Sequence, residues 1–333
     1  MLAADVVGFR DNAYPTYHFS FFCESIMIDR QTSKVRFLWG RLVILALILL
    51  LAGCEAGQDE NSGQKRLLRL DNLRPLPAGR SEQDSQALRI GVGPIISPQG
   101  TALSYQPLVD YLGRKLGKPV VLVQRKTYQE LNDLLARNVV DLGFICTGAY
   151  TEGARDGTIS LLVVPRINGK TTYRSFVIVP AASSARKFAD LRGKVFAFTD
   201  PLSKTGYFYP LSLLQDLGRQ PETFFGRTIF TYSHDRSIAA VVDGLANGAA
   251  VDSLVYEFAV KRNEEIGRRT KVIGESPDFP IPPVVVPRGI SPKRKALLKE
   301  LLLGLHTEAE GEKALAALGV ERFVEPEPER YEL

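Results

Sequence analysis

The stretch LRIGVGPIISPQGTALSYQPLVDYLGRKLGKPVVLVQRKTYQELNDLLARNVVDLGFIC, residues 88–146, alternates short apolar runs with longer amphipathic ones. Leu88–Val92 has the length and composition of a buried strand. Ala102–Leu116 carries Leu103, Leu108, Leu112 and Leu116 near helical spacing, and Gly117 supplies a stop. Val120–Val123 predicts a second strand, Tyr128–Ala136 a helix with Leu131, Leu134 and Leu135, and Val140–Ile145 a third strand. Such βαβ repetition favours an α/β fold with a mainly parallel sheet.

Further along, Ser160–Pro165 and Tyr173–Val179 are β-rich. A second α/β set follows: strands at Lys194–Phe198, Arg227–Thr231 and Ala249–Asp252, with helices near Tyr207–Leu217, Arg236–Leu245 and Val255–Arg262. Lys271–Ile273 and Pro283–Pro287 are again extended, and helices are expected near Pro292–Leu305 and Glu310–Leu318. The pattern describes two α/β lobes, with the chain crossing near residues 176–180 and returning near 272–280. The expected parts are lobe 1 at 87–176, lobe 2 at 177–272, a return to lobe 1 at 273–324, and a tail at 325–333 that frays because it is acidic and Pro-bearing (EPEPERYEL).

In open α/β sheets, ligands bind beyond the carboxyl ends of strands, where helices begin. Several such junctions carry hydroxyls, amides or glycines. After the first strand comes PIISPQG, where Ser97 and nearby N–H groups could meet a ligand or simply form a turn. Thr127 is a natural N-cap, and Tyr128 beside it could cover a ligand. Asp200–Tyr207, DPLSKTGY, brings Ser203, Lys204, Thr205 and Gly206 to a helix start, where free N–H groups, two hydroxyls and an ammonium suit a tetrahedral oxyanion. An ordinary capped helix is the plainer reading, and the spacing is not that of a P-loop. At Tyr232–Asp235, Ser233 or Asp235 could cap a helix, while His234 could donate a hydrogen bond to an oxyanion. Asp252 ends a strand; it could accept a proton from a partly protonated ligand and so reject fully ionised anions, or serve only as an N-cap.

Catalytic signatures are poor: GxSxG, HExxH, CxxC and GxGxxG are absent. Cys146, at a strand end beside Thr147, is expected to be a small buried residue rather than a nucleophile. No cofactor or metal is expected.

Composition agrees with a folded protein. Hydrophobic residues make up 45% and charged residues 24%, which excludes wholesale disorder. Three cysteines and three histidines are too few for a disulfide scaffold or a zinc-finger array. The net charge of +5 suits an anionic ligand without demanding nucleic acid. Nearer the N-terminus, Leu42–Ala52 is an unbroken apolar run, preceded by Lys34, Arg36 and Arg41 and followed by Gly53 and Cys54. At ~1.5 Å per residue it spans ~16 Å, about half a bilayer core, which fits a secretory signal and not a membrane span. Leu51-Ala52-Gly53-Cys54 looks like a bacterial lipobox, in which the cysteine is lipidated. Because signals run to about 30 residues, residues 27–53 are taken as the signal and 1–26 as a mis-called N-terminal extension. Cys54 and the polar linker to residue 86 would then tether the domain to a membrane.

The segments LRIGVGPIISP, YQPLVDYLGRKLGKPVVLV, DLGFICTGAY, FTDPLSKTGYFYP and SHDRSIAAVVDGLANGAAVDSLVYE together resemble the phosphate/phosphite/phosphonate substrate-binding proteins of ABC transporters. The resemblance covers about Leu88 to Leu318, and its most specific element is Asp-Pro-x-Ser-x-[Ser/Thr]-Gly. It implies a type II periplasmic-binding-protein-like fold with two lobes, hinge strands and an interlobe cleft. It assigns oxyanion binding to Ser203 and Thr205, with backbone donors at Lys204 and Gly206. Tyr128, His234 and Asp252 follow as further site residues, and Thr147 and Tyr173 as weaker ones. Lys204 departs from the pattern, since a small hydroxyl residue is frequent there. The expected function is that of an extracytoplasmic, lipid-anchored, monomeric receptor handing a small phosphorus anion to an ABC permease; the alternative is a ligand-sensing module of the same fold signalling to a membrane partner.

Overall fold

A computed structural model describes residues 87–332. The expected N-terminal extension, the signal segment, Cys54 and the linker to residue 86 lie outside these described residues. Strand β1 (Leu88–Val92) is buried along nearly its whole length, as a central strand covered on both faces must be. It pairs in parallel with β2 (Val120–Gln124) and with β3 (Leu142–Phe144). Helix α1 (Pro98–Leu116) begins earlier than its leucine spacing predicts, because Pro98 has the fixed φ that suits a first helical position. Gly117, at φ 60°, closes it in the left-handed conformation.

Helix α2 (Tyr128–Ala136) opens on Thr127, whose hydroxyl accepts the Glu130 N–H. Helix α3 (Thr147–Arg155) was not expected from TGAYTEGAR, which offers little apolar periodicity. It packs closely through its glycines: a Cβ on Gly153 would stand 2.5 Å from Ile159 Cδ1.

Only part of the first sheet is parallel. Its order is β13-β4-β12-β3-β1-β2, where β4 is Ile159–Arg166, β12 is Val284–Pro287 and β13 is Arg322–Val324. Strand β12 runs antiparallel to both β3 and β4, and β13 antiparallel to β4. The expectation of a mainly parallel sheet is corrected on this side, because β12 re-enters the lobe after an excursion through the other one.

The second sheet has the order β10-β6-β9-β7-β8. Strands β7 (Val195–Phe198), β8 (Arg227–Phe230) and β9 (Gly248–Asp252) are parallel, while β6 (Ser175–Pro180) and β10 (Thr270–Glu275) are antiparallel additions. An aromatic core lies beneath, with Phe196 and Phe225 stacked at 4.5 Å. Between the sheets, β5 (Thr172–Tyr173) pairs with β11 (Phe279–Pro280) in a two-stranded hinge. The first crossing therefore falls before 176–180, while the return expected near 272–280 falls only in its later part, after 270–275. Those segments pair with each other inside the second sheet, which leaves residues 171–174 and 276–283 to bridge the lobes.

Helices α4 (Tyr209–Asp216), α5 (Pro221–Phe224), α6 (His234–Val242), α7 (Ser253–Arg262) and α8 (Glu264–Arg269) flank the second sheet; α9 (Pro292–Leu303) and α10 (Ala309–Leu318) complete the first lobe. The tail does not fray as expected. Pro328–Tyr331 forms a 3-10 turn, and buried Tyr331 donates to the Ile281 carbonyl at 2.6 Å while packing edge-on against Tyr150. An acidic stretch can thus be held by one aromatic anchor.

Candidate binding site

Six strand-to-helix junctions meet where the lobes face each other. From the first lobe come the β1–α1 turn, the start of α2 and the start of α3; from the second come the turn after β7 and the starts of α6 and α7. Hydrogen bonds cross between them. Tyr128 N–H donates to Asp200 Oδ2 at 3.2 Å, and Ser97 N–H donates to both Asp235 oxygens at 3.0 and 2.9 Å. His234 N–H donates to the Ile95 carbonyl at 3.0 Å, and Lys204 N–H donates to Cys146 Sγ at 3.3 Å. Gly148 makes the approach at α3 sterically possible, since a Cβ there would stand 2.4 Å from the Leu202 carbonyl oxygen.

The second-lobe residues are wired to one another. Ser175 Oγ donates to the Thr205 carbonyl at 2.8 Å, and Ser175 is the register partner of Asp252. Asp252 N–H donates to His234 Nδ1 at 3.1 Å. A backbone amide can only donate, so Nδ1 must be the unprotonated nitrogen and Nε2 carries the proton. Burial lowers the His234 pKa to about 4, which keeps the ring neutral at ordinary pH. With its basic nitrogen occupied by an amide, His234 is a fixed donor and is poorly suited to general-base work.

Asp252 caps α7 by accepting Leu254 N–H at 2.8 Å and Val255 N–H at 3.2 Å, both through Oδ1. Burial raises its pKa to about 7, against the lowering pull of those two amides. The carboxyl therefore exchanges its proton near neutrality and can either donate to an anion or accept from a protonated one.

Three hydroxyls distinguish this region. Tyr128 Oη, Thr205 Oγ1 and Ser233 Oγ are buried and have no hydrogen-bond partner. Leaving a buried hydroxyl unpaired costs about 1–3 kcal/mol, so each of the three is a donor that lacks an acceptor. Tyr128 lies within electrostatic reach of Cys146, Asp200, Tyr173 and Asp252, and burial dominates its strongly raised pKa.

The other expected site residues have partners of their own. Ser203 Oγ accepts Gly206 N–H at 3.0 Å, and Lys204 N–H is bound by Cys146, so both amides expected to serve a ligand are engaged. The Lys204 ammonium lies 4.9 Å from the centre of the Phe279 ring at the hinge, so it does not converge with the hydroxyls as its sequence position suggests. Ser97 offers no free amide because Asp235 holds it. Thr147 donates to the Pro280 carbonyl at 2.8 Å, tying α3 to the hinge, and Tyr173 Oη lies 3.9 Å from Cys146 Sγ. Cys146 is buried, and desolvation raises its thiol pKa. Ser233, considered from sequence only as a cap, caps nothing. Among the described residues no three His, Cys, Asp or Glu side chains are grouped to hold a metal ion.

Comparison with known proteins bears on the family and the fold. The model of the family described as ABC transporter, phosphonate, periplasmic substrate-binding protein matches residues 90–331. The phosphate-import protein PhnD of Mycolicibacterium smegmatis is 26% identical over 184 residues, a match spanning 52% of this chain and 57% of that relative. Among solved structures, the binding-protein component of an ABC phosphonate transporter from Pseudomonas aeruginosa superposes with a TM-score of 0.69 at 22% identity, covering 74% of this chain and 83% of that one. PhnD1 from Prochlorococcus marinus, solved with methylphosphonate, gives 0.67 at 19% identity, covering 74% and 95%. These structures share the two-lobed binding-protein fold, and the family consists of substrate-binding components rather than enzymes. With the family model spanning both lobes and the hinge, this chain belongs to the phosphonate-type periplasmic substrate-binding proteins of ABC transporters.

Proposed function

We propose that this protein captures a small phosphorus oxyanion or phosphonate outside the cytoplasm and presents it to an ABC importer, tethered to a membrane through lipidated Cys54. The observation that carries the reading is the set of unpartnered buried hydroxyls, Tyr128 Oη, Thr205 Oγ1 and Ser233 Oγ, each at a strand-to-helix junction, with buried Asp252 at another. Hydroxyls from both lobes donate to the anion's oxygens, and the neutral His234 adds its Nε2–H. Asp252 shares one proton with the anion, which favours ligands that carry or accept a proton. Binding satisfies groups that are otherwise unpaired, so the ligand stabilises the form in which the lobes meet. The relatives' names support the phosphorus class: a phosphate importer and a methylphosphonate complex lie among them.

Calorimetry of the domain with phosphate, phosphite and methylphosphonate, with sulfate as control, tests this. One-to-one binding of at least one phosphorus anion and weaker binding of sulfate, which has no proton to share near neutrality, are expected. No binding by any of the three phosphorus anions would overturn the ligand class. Fatty-acid labelling of the full chain in a bacterium tests the anchor: label should be incorporated, and Cys54→Ala should remove it.

A further inference from the structure

The contacts that join the lobes leave one side open. A cavity of about 710 Å³ lies between the first lobe and helix α7, and Asp252 is among the residues that line it. A tetrahedral oxyanion of five heavy atoms occupies about 100 Å³, a few times the ~30 Å³ share of one water. The cavity is several times larger and falls within the ~300–1,000 Å³ range of sites for organic ligands. Its lining is largely apolar: Ile95, Ile96 and Tyr105 face Leu254, Val255 and Phe258. The three second-lobe residues lie at helical spacing along α7. At ~1.5 Å per residue, Phe258 stands about 9 Å along the axis from Asp252. Phe258 is 40% exposed, a large ring left half in water. Polar groups share the lining: Thr101, Ser104 and Asn168 from the first lobe, and Glu257, Lys261 and Arg262 on α7.

We propose that this cavity receives the organic substituent of the ligand, and that the protein favours organophosphonates with an apolar, ring-sized group over inorganic phosphate and methylphosphonate. The inference rests on the oxyanion reading of the Asp252 neighbourhood. Asp252 belongs both to the proposed oxyanion site and to the cavity, so a head group held at that site has its substituent directed along α7. A phenyl ring there meets Leu254, Val255 and Phe258 on one side and Ile95 and Tyr105 on the other, and removes apolar surface from water on both partners.

The test compares methylphosphonate with phenylphosphonate by calorimetry, in the wild type and in two variants. Phenylphosphonate should bind about tenfold or more tightly in the wild type. Phe258→Ala, a change at a half-exposed position, should shrink that ratio to about threefold or less while leaving the methylphosphonate Kd within about twofold. Val255→Trp, which fills the cavity from the α7 side, should abolish the preference. Equal affinity for the two phosphonates in the wild type, or a preference that survives both substitutions, overturns the inference while leaving the oxyanion site intact. Failure of both phosphonates and of inorganic phosphate to bind overturns it together with the reading on which it rests.

Discussion

The turns at Ser203 and Ser233 are built alike and behave differently. Each serine precedes a helical segment in the second lobe, each stands in extended backbone at an N-cap position, and each is buried. Ser203 Oγ accepts Gly206 N–H, as a capping serine ordinarily does. Ser233 Oγ accepts nothing, and Thr205 Oγ1, two residues past Ser203, is equally unpaired. A hydroxyl that completes its own turn stabilises the ligand-free fold. One that leaves its helix end uncapped lowers that stability and is compensated only when an acceptor arrives. The difference separates residues that shape the site from residues that hold the anion.

The sharpest way to break this distinction is to remove the unpaired hydroxyls. Thr205→Val with Ser233→Ala should weaken phosphate or methylphosphonate binding by about 100-fold or more, since a hydrogen bond to a charged group contributes about 1.5–3 kcal/mol. The ligand-free melting temperature should hold or rise, because two unsatisfied groups leave the interior. Unchanged affinity, or a clear loss of thermal stability, would show that these hydroxyls are structural after all.

A second effect comes from pH. Above pH 7 the free Asp252 carboxyl has lost its proton. Once the anion is deprotonated too, a complex that shares a proton must take one up, so Kd should rise toward tenfold per pH unit between pH 7 and 9. Asp252→Asn, a neutral donor, should flatten that slope. In the ligand-free protein the sign differs by group. Asp252, raised by burial, contributes stability present below about pH 4 and lost as pH rises through about 7. His234, lowered by burial, contributes stability present above its ordinary value of 6.5 and lost as pH falls through about 4. Between about 4 and 6.5 the two slopes oppose each other. Thermal melts of Asp252→Asn against the wild type should therefore diverge with pH, the variant losing more stability on acidification.

How much of this was legible from sequence depended on whether a signal is local. The α/β alternation and the helix starting at Tyr128 follow from apolar spacing and a capping Thr127, both readable within a dozen residues. The junction residues Tyr128, Thr205, His234 and Asp252 could be nominated because strand ends followed by helix starts are visible in the pattern. Helix α3 was missed because its glycines serve packing contacts that give no apolar periodicity, Gly153 with Ile159 just past the helix and Gly148 with Leu202, far along the chain. The ordered tail was missed for a similar reason, since Tyr331 is fixed by a carbonyl 50 positions away. The partition of hydroxyls into paired and unpaired could not be read at all. Whether Ser203 or Ser233 finds a partner depends on the backbone path each turn takes.

Closure supplies an intermediate effect. Gly148→Ala sets a methyl group 2.4 Å from the Leu202 carbonyl oxygen across the cleft, so the lobes must stand farther apart. Affinity should fall about tenfold with little change in the stability of either lobe, because a displacement of an ångström or so lengthens several hydrogen bonds to the anion at once. Small-angle scattering in saturating ligand should show a larger radius of gyration than for the wild type. An unchanged radius and affinity would mean that the Ser203 turn and α3 need not meet for binding, and that the Lys204–Cys146 contact is incidental.

The smallest effect belongs to Ser203 itself. If its oxygen serves the turn, Ser203→Ala removes a cap and should lower ligand-free stability by about 1 kcal/mol. Its proton takes no part in the Gly206 bond, so a modest second loss in affinity is compatible with the same geometry. The diagnostic quantity is the ratio of the two effects. Ser203→Ala should change stability more than it changes binding, and Ser233→Ala should do the reverse. Denaturant midpoints and phosphate titrations on both single variants give that ratio directly. Matching ratios would erase the distinction between the two turns and make the unpaired Ser233 hydroxyl a defect of packing with no share in ligand capture.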